Sequence, residues 1–204
     1  MLILQNKVVR LEPLALEHVE ALLGLALATP RAFGLTSVPP TLLGMTAYVE
    51  AAVAARQQGL AVPFATLDVV TGAVLGSTRF GNLEYWAWGQ GNAHKKTDGT
   101  PDAAEIGWTW LAPAAQRTAI NTNAKLLMLE YAFEVWQIRR MTLKTDARNE
   151  QSKNAILRIG ASFEGVLRSH MPAADDGVRD TAIFSMLESE WAGVKAHLQQ
   201  LTRT

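Results

Sequence analysis

Apolar positions in the first third of the chain follow a helical period after one short extended segment. Residues 8–11 predict a first strand, and apolar residues then recur at helical spacing over residues 16–27. An alanine-rich segment, residues 46–58, predicts a second helix that ends at Gly59. The chain therefore begins with one strand and two helices.

From Pro63 the period changes to two residues, which is the period of a strand. Residues 63–83 predict a hairpin that turns at Thr71 and Gly72. Residues 87–102 are polar, rich in glycine and without a period, so they predict a long loop. The next strand, residues 104–111, alternates between two faces. We expect Ile106, Trp108 and Trp110 on one face and Glu105, Gly107 and Thr109 on the other.

A widely apolar helix, residues 122–136, follows this strand and must be buried against a sheet. A strand at 140–145 and a helix at 150–159 come next, and Asn149 and Gly160 are the expected cap and stop of that helix. A hairpin around residues 175–177 and a helix at 189–201 complete the chain. The strand–helix–strand order at 104–145 implies a right-handed parallel crossover. The pattern predicts an α/β fold with a mixed sheet that is neither a Rossmann fold nor a barrel.

Composition narrows the possible functions of this single expected domain, residues 1–204. Hydrophobic residues make up 49% of the chain, charged residues 19%, and the formal net charge is zero. Because no basic excess exists to neutralise phosphates, we expect no nucleic-acid partner. The absence of cysteine excludes disulfides and a cysteine nucleophile. The four histidines show no ligand spacing, so we expect no metal.

The apolar segments are too short for a membrane span. The longest lies around residues 22–28, far below the roughly 20 residues that cross a bilayer. The N-terminal residues lack the basic leader and long apolar run of a signal peptide. We therefore expect a cytoplasmic protein with no membrane partner.

The segment from Glu105 to Leu111, followed by Gln116 and the long apolar helix, resembles the acyl-CoA signature of the GNAT acetyltransferases. In that family a Q/R-x-x-G-x-G/A loop opens the helix, and its N–H groups hold the CoA pyrophosphate. Here Gln116 is present, but Ala119 and Asn121 stand in place of the two small motif residues. If the backbone at residue 119 had a positive φ, alanine there would cost about 1 kcal/mol or more.

Further matches point to the RimJ/RimL-like branch and cover nearly the whole chain. Asn149 and Ser152 resemble its N-x-x-S pattern, and residues 160–165 and 179–191 resemble its closing segments. The resemblance implies the GNAT fold, a mixed and mostly antiparallel sheet with a central parallel β-α-β crossover flanked by helices. It also implies acetyl-CoA as acyl donor. The residues implied to bind it are Trp110, Leu111, Gln116, Arg117, Thr118, Ala119, Ile120, Asn121, Thr122 and Asn149.

The resemblance also implies the catalytic residues. Ser152 would protonate the departing thiolate. Many members of the family use a tyrosine as the general acid, but Phe184 stands at that position here. Glu164 is the favoured base, since it matches the catalytic glutamate of the RimL-type enzymes, and Glu105 is the second candidate. The alternative interpretation is structural: Asn149 caps a helix, Ser152 lies in its first turn, and each glutamate is a solvated strand-end residue.

The acceptor is expected to be a primary amine. An α-amine with a pKa near 7.8 loses its proton at neutral pH for about 1 kcal/mol, against roughly 4.6 kcal/mol for a lysine. This favours protein or peptide N-termini, in agreement with the RimJ/RimL-like resemblance. Two alternatives remain open, a small-molecule amine or antibiotic as acceptor, and a CoA-binding module without turnover. Relatives are often dimers, so we expect a homodimer.

The long loop and its flank offer secondary candidates for substrate binding. His94, Lys95 and Lys96 form a basic run that could attract an acidic substrate or the CoA 3′-phosphate, although such runs are commonly solvated. Trp86 and Trp88 precede the loop, and of the six tryptophans they are the ones expected to line a substrate groove.

Overall fold

A computed structural model describes residues 2–28 and 33–203. Within these ranges the strands are β1 Leu4–Gln5, β2 Val9–Pro13, β3 Val62–Asp68, β4 Val74–Glu84, β5 Ala103–Leu111, β6 Arg140–Asp146, β7 Ser162–Pro172 and β8 Val178–Leu187. The α-helices are α1 Val19–Ala28, α2 Leu42–Gln57, α3 Ala119–Glu130, α4 Glu150–Arg158 and α5 Trp191–Leu201. A π-helical turn, Tyr131–Val135, extends α3.

The strands form one sheet in the order β1-β2-β3-β4-β5-β6-β8-β7. β5 and β6 are parallel and joined through α3, and every other neighbouring pair is antiparallel. This confirms the mixed sheet with one central parallel crossover that the sequence predicts.

Helices cover the two faces of the sheet unequally. On one face α3, α4 and α5 form the larger core, centred on Phe80, Met128 and Leu129. On the other face α1 and α2 pack against β3 and β4 through residues such as Leu22 and Met45. Over β5 and β6 this second face carries partly buried polar side chains instead.

Two helices begin earlier than the apolar period indicates, because each starts at a capping side chain. α2 begins at Leu42, where the Thr41 hydroxyl accepts a hydrogen bond from the Gly44 amide at 3.1 Å. α3 begins at Ala119 after Thr118, whose hydroxyl accepts from the Ile120 amide. The residues 119–121 that we expected in a loop are therefore the first turn of α3. The expected cap of α4 at Asn149 is confirmed.

Candidate active site

A bulge in β5 separates this strand from β6. The parallel pairing covers Ala103 to Glu105 and goes no further. Three residues later Trp108 has a φ of 51°, in the left-handed region. Beyond the bulge β5 remains paired with β4, as Ser77 with Trp110 shows. The second half of β5 thus has a free edge toward β6, beside the start of α3.

The bulge also reassigns the side chains of β5. Ile106 belongs to the core under α3, whereas Trp110 belongs to the core under α1 and α2. Thr109 contacts Lys125 of α3 and so lies on the opposite side from Trp110. The expected strict alternation is therefore wrong beyond Gly107, because one residue with positive φ exchanges the two faces. Glu105 and Gly107 do share a face, since a β-carbon on Gly107 would lie 2.9 Å from Glu105 Oε1.

Glu105 has one anchored oxygen and one free oxygen. The residue is 7% exposed, and its Oε2 accepts a hydrogen bond from Asn82 Nδ2 at 2.7 Å. The same oxygen lies 2.8 Å from Lys144 Nζ. Among the described residues nothing donates to Oε1, which lies beside Gly107 near the bulge. The carboxylate is therefore anchored through one of its two oxygens only.

Glu164, the base favoured from the sequence, is held differently. Both of its oxygens accept hydrogen bonds from the Arg140 guanidinium, and Ser185 Oγ donates to Oε1 at 2.7 Å. These bonds from Arg140 and Ser185 lower the pKa of Glu164 to about 2. A carboxylate that binds a proton so weakly is a poor general base at neutral pH. The geometry therefore ranks Glu105 above Glu164, the reverse of the order expected from the sequence.

The N-terminus of α3 is exposed and positively polarised. Arg117 and Thr118 precede it, both are exposed, and the Arg117 side chain has no partner among the described residues. The first amides of a helix lack acceptors within the helix, and the helix dipole favours an anion there. The positive φ of this loop, 59°, is that of Arg117 and not of Ala119. Ala119 therefore carries no left-handed strain in place of the motif glycine.

Gln116 connects this loop to its neighbours. Its Nε2 donates to the Leu111 carbonyl at 3.0 Å, and its Oε1 accepts from Gln151 Nε2 at 3.4 Å. The end of β5, the loop before α3 and the start of α4 are thereby joined at one place. The sequence-predicted binding residues 116–122 and Asn149 lie on these three segments.

At the start of α4 the capping interaction leaves other polar groups available. Asn149 Oδ1 accepts from the Ser152 amide at 3.0 Å, which is the helix cap of the structural interpretation. Asn149 Nδ2 and Ser152 Oγ have no hydrogen-bond partner among the described side chains, and both residues are partly buried. The cap uses the backbone of Ser152 and leaves its hydroxyl proton free to donate.

Lys125 is a functional candidate that the sequence reasoning missed. It is 5% exposed, and its Nζ donates to Thr109 Oγ1 at 2.7 Å and to Thr78 Oγ1 at 3.3 Å. Desolvation lowers its pKa to about 7. The available signal was a single lysine in a helix that is otherwise apolar on nearly every side. Lys125 is thereby hydrogen-bonded to Thr109, the residue that follows Trp108 at the bulge of β5.

Two further missed residues, Arg79 and Trp108, lie on the Glu105 face. The Arg79 guanidinium is 4.9 Å from the ring centre of Trp108. Trp108 lies against Gly81, where a β-carbon would come within 2.5 Å of its ring, so glycine leaves the space that the ring occupies. Trp108 is 45% exposed on this face, whereas the sequence favours Trp86 and Trp88 as the tryptophans that line a substrate groove.

The loop candidates lie at the other end of α3. Lys96 Nζ donates to the carbonyls of Pro101 and Trp136, both at 2.6 Å, and so fastens the loop. His94 packs against Trp88 with ring centres 5.7 Å apart. Trp136 follows the π-helical turn that extends α3, about 27 Å along the helical axis from Thr118 at about 1.5 Å per residue. The possibility that Lys96 of this basic run attracts the CoA 3′-phosphate is therefore not supported, since its ammonium already donates two hydrogen bonds and lies far from the exposed start of α3.

Two other kinds of functional feature concern the described residues, a membrane-spanning helix and a group of possible metal ligands. No helix of residues 2–28 and 33–203 is long and apolar enough to cross a lipid bilayer. Glu12, Glu17 and His18 bring three possible metal-ligand atoms within 4.8 Å of one another. Within this group Glu12 accepts a hydrogen bond from Arg10, and its other oxygen lies 3.1 Å from His18 Nε2.

Sequence comparison provides an independent assignment. The family described as "Acetyltransferase (GNAT) domain" matches residues 9–162. The protein named "Putative ribosomal N-acetyltransferase YdaF" of Bacillus subtilis is 33% identical over 93 residues, which are 45% of this chain and 49% of that protein. The chain therefore spans about half the length of this curated relative.

Solved structures resemble the whole fold. A "putative acetyltransferase" of T. thermophilus is 32% identical with a TM-score of 0.80, over 98% of this chain and 96% of that one. A GCN5-related N-acetyltransferase of Brucella melitensis is 28% identical with a TM-score of 0.78, over 98% and 84% of the two chains. Mycobacterium smegmatis RimJ, 20% identical with a TM-score of 0.78 over 98% and 93%, shares the fold.

Proposed function

This chain belongs to the GNAT acetyltransferase family, and we propose that it transfers an acetyl group from acetyl-CoA to a primary amine by direct attack in a ternary complex. The observation that carries this proposal is the position of Glu105. Its free oxygen lies at the last residue pair before β5 and β6 separate. A proton acceptor at the mouth of an opening between strands suits attack on an acyl group held in that opening.

The residues present fit acetyl-CoA. The exposed residues 117–119 at the start of α3, with an Arg117 side chain that has no partner among the described residues, suit the pyrophosphate. The free edge of β5 at Trp110 and Leu111, and the unbonded Asn149 Nδ2, suit the amide groups of the pantetheine arm. When bound, acetyl-CoA supplies the acetyl group as an activated thioester.

Two side chains of this chain handle the protons. Glu105 accepts a proton from the amine, directly or through one water, so that the nitrogen lone pair is free to form the new C–N bond. Lys144 and Asn82 orient the carboxylate through Oε2. Ser152 donates its hydroxyl proton to the sulfur as the C–S bond breaks. Glu164 stays ionised and orients Arg140.

We propose a protein or peptide N-terminal α-amine as the acceptor. The support is the modest cost of deprotonating an α-amine, which one carboxylate can meet, and the relatives' names. YdaF is named for ribosomal N-acetyltransfer, and a Vibrio cholerae protein of this fold as a "putative ribosomal-protein-serine acetyltransferase". Acetylation of a small-molecule amine is the alternative outcome of the experiment below.

We also propose a homodimer. The support is β7, an outer strand of the sheet that exposes Phe163, Val166, Leu167 and Met171 by 41 to 55%. Exposed apolar residues on the edge strand of a sheet form a surface that proteins commonly cover. Light scattering at tens of micromolar should give twice the monomer mass, and a clean monomer would reject the dimer.

The experiment that tests the function measures free CoA released from acetyl-CoA in the presence of a panel of amines. Peptides with free N-termini, the same peptides with blocked N-termini and an internal lysine, and small amines form its three arms. We expect release with the first arm and an acetylated α-amine by mass spectrometry. Release with small amines alone would assign a small-molecule acceptor, and release with none would reject the proposed activity.

A further inference from the structure

Arg79 of β4 is a buried arginine that has no anionic partner in the described part of the chain. The residue is 8% exposed, and its guanidinium lies between two aromatic rings, 5.3 Å from the centre of Tyr48 and 4.9 Å from that of Trp108. Tyr48 is itself fixed, because its hydroxyl shares a 2.7 Å hydrogen bond with Ser77. Both aromatic rings therefore contact the guanidinium, but neither supplies a carboxylate or another anionic group.

The N–H groups of Arg79 are unused within residues 2–28 and 33–203. No carboxylate of these residues lies within 4.0 Å, and no oxygen of theirs accepts a hydrogen bond from the side chain. Its nitrogens are also not among the fully buried polar atoms without partners, which in these residues are Trp110 Nε1 and Arg139 Nε. The guanidinium edge therefore reaches accessible space.

A buried charge without a counter-charge is costly, and arginine is the side chain best suited to bind an oxyanion through two parallel hydrogen bonds. The two rings stabilise the cation by their faces, but they satisfy none of its five N–H donors. An anionic ligand group at this edge would supply the missing partner.

Arg79 lies on the same face as the proposed base. It pairs with Gly107 across β4 and β5, and Gly107 shares its face with Glu105. Arg79 and Glu105 are thus diagonal neighbours on two adjacent strands, a relation that places backbones about 7–8 Å apart. One ligand can therefore reach both residues if its amine and its anionic group are only a few bonds apart.

We propose that Arg79 binds a carboxylate of the amine acceptor, so that the preferred acceptor carries its amine and a carboxylate within one residue. This inference rests on the proposed function, because it identifies the acceptor class of the same site. Two sources supply this chemistry, an aspartate or glutamate as the first residue of a peptide, and the α-carboxylate of a free amino acid.

The experiment compares two matched acceptor pairs with wild-type protein and Arg79→Gln. The pairs are Asp-Ala-Ala-Ala amide with Asn-Ala-Ala-Ala amide, and alanine with alaninamide. We expect wild-type kcat/KM to favour the carboxylate member of one pair by about tenfold or more, the effect of one charged hydrogen bond. In Arg79→Gln the ratio for the responding pair should fall by about that factor, mainly through KM. The pair that responds identifies the source.

Two controls separate charge from folding. Arg79→Lys keeps the charge without the planar fork, so its ratio should be intermediate. Arg203→Gln removes an exposed arginine near the end of the chain and should leave the ratio as in wild type. Melting temperatures show whether Arg79→Gln remains folded. If it does not, the acceptor ratio of wild type is compared with that of Arg79→Lys instead.

The outcomes distinguish this inference from the proposed function. Turnover with equal use of both members of each pair, or a preference that persists in Arg79→Gln, overturns the role of Arg79 and leaves the acetyltransferase intact. If no amine is acetylated, titration calorimetry of the Asp peptide and of alanine in the presence of CoA still decides whether Arg79 binds the carboxylate. Binding of either that is lost in Arg79→Gln supports the inference, and binding that is absent or unaffected overturns it.

Discussion

Glu105 and Glu164 show how neighbouring side chains decide the role of a carboxylate. Both were candidates on sequence grounds, and no local pattern distinguishes a free glutamate from a paired one. Arg140 is 24 residues from Glu164 and Lys144 is 39 residues from Glu105 in the chain, so their pairing depends on the order of strands in the sheet. The structure assigns both Glu164 oxygens to partners and leaves one Glu105 oxygen free.

We predict that Glu105→Gln lowers turnover of an α-amine peptide by about 10²–10⁴-fold at neutral pH. Part of the loss should return at high pH, where the amine is already neutral. The matched variant Glu164→Gln should show a smaller defect without this rescue. The pKa of Glu164 is about 2, so its carboxylate does not take up a proton during turnover. Turnover rates of both variants from pH 6 to 10 decide which glutamate is the general base. A severe defect of Glu164→Gln that is rescued at high pH would assign this role to Glu164.

A second residue-scale prediction concerns Lys125. Its folded-state pKa of about 7 lies below the roughly 10.4 of an unfolded lysine, so the unfolded chain binds more protons between these values. The free energy of unfolding should therefore rise with pH in this range, by about 1.4 kcal/mol per unit from this residue. Urea unfolding at pH 7.5 and 9.5 should show this gain in wild type. Lys125→Met should lack it, and parallel pH dependences would contradict the lowered pKa.

At the scale of elements, the sequence predicted most strands and helices but not the boundaries that matter to the site. The start of α3 was placed at residue 122 because the apolar period becomes clear there, whereas Thr118 caps the helix. The bulge at Trp108 was also missed, because the alternation of apolar and polar residues in the sequence does not show where the backbone has a positive φ. Both features form the proposed donor site, and both depend on backbone conformation more than on residue type.

We predict that Arg117→Gly separates stability from donor binding at the start of α3. Arg117 has a φ of 59°, so glycine should relieve about 1 kcal/mol of strain and raise the melting temperature by roughly 2–4 °C. The lost cation should weaken acetyl-CoA binding severalfold in calorimetry. Arg117→Ala is the control that loses the charge without the backbone gain. Unchanged acetyl-CoA affinity in both variants would exclude Arg117 from the site.

At the start of α4, Ser152→Ala and Asn149→Ala should behave differently. The cap uses the Ser152 amide and the Asn149 side chain, so Asn149→Ala should cost about 1 kcal/mol of stability. Ser152→Ala keeps the cap and should lower kcat more than it weakens acetyl-CoA binding, because the hydroxyl proton is needed only as the thiolate leaves. Equal losses in kcat and affinity for Ser152→Ala would mark the residue as structural.

At the scale of the whole molecule, the unequal cover of the two sheet faces produces the site. α3 and α5 cover one face, where Lys125 has no counter-charge among the described residues. On the other face α1 and α2 pack against β3 and β4, and Glu105 lies on the next strand, β5. The sequence predicted the order of elements and the parallel crossover, which fix this arrangement. The sequence did not predict which polar side chains lie near one another on the Glu105 face of the sheet. Arg79, Glu105 and Lys144 lie on three different strands, so their proximity depends on the order of strands.

The most direct test of this arrangement is amide hydrogen exchange with and without acetyl-CoA. If the donor lies along the free edge of β5 with its pyrophosphate at α3, acetyl-CoA should slow exchange in peptides covering residues 110–122 and 149–152. Exchange in β1, β2 and the loop at residues 87–102 should change little. Protection that is absent from residues 110–122, or confined to that loop, would contradict the proposed site and the acetyl transfer built on it.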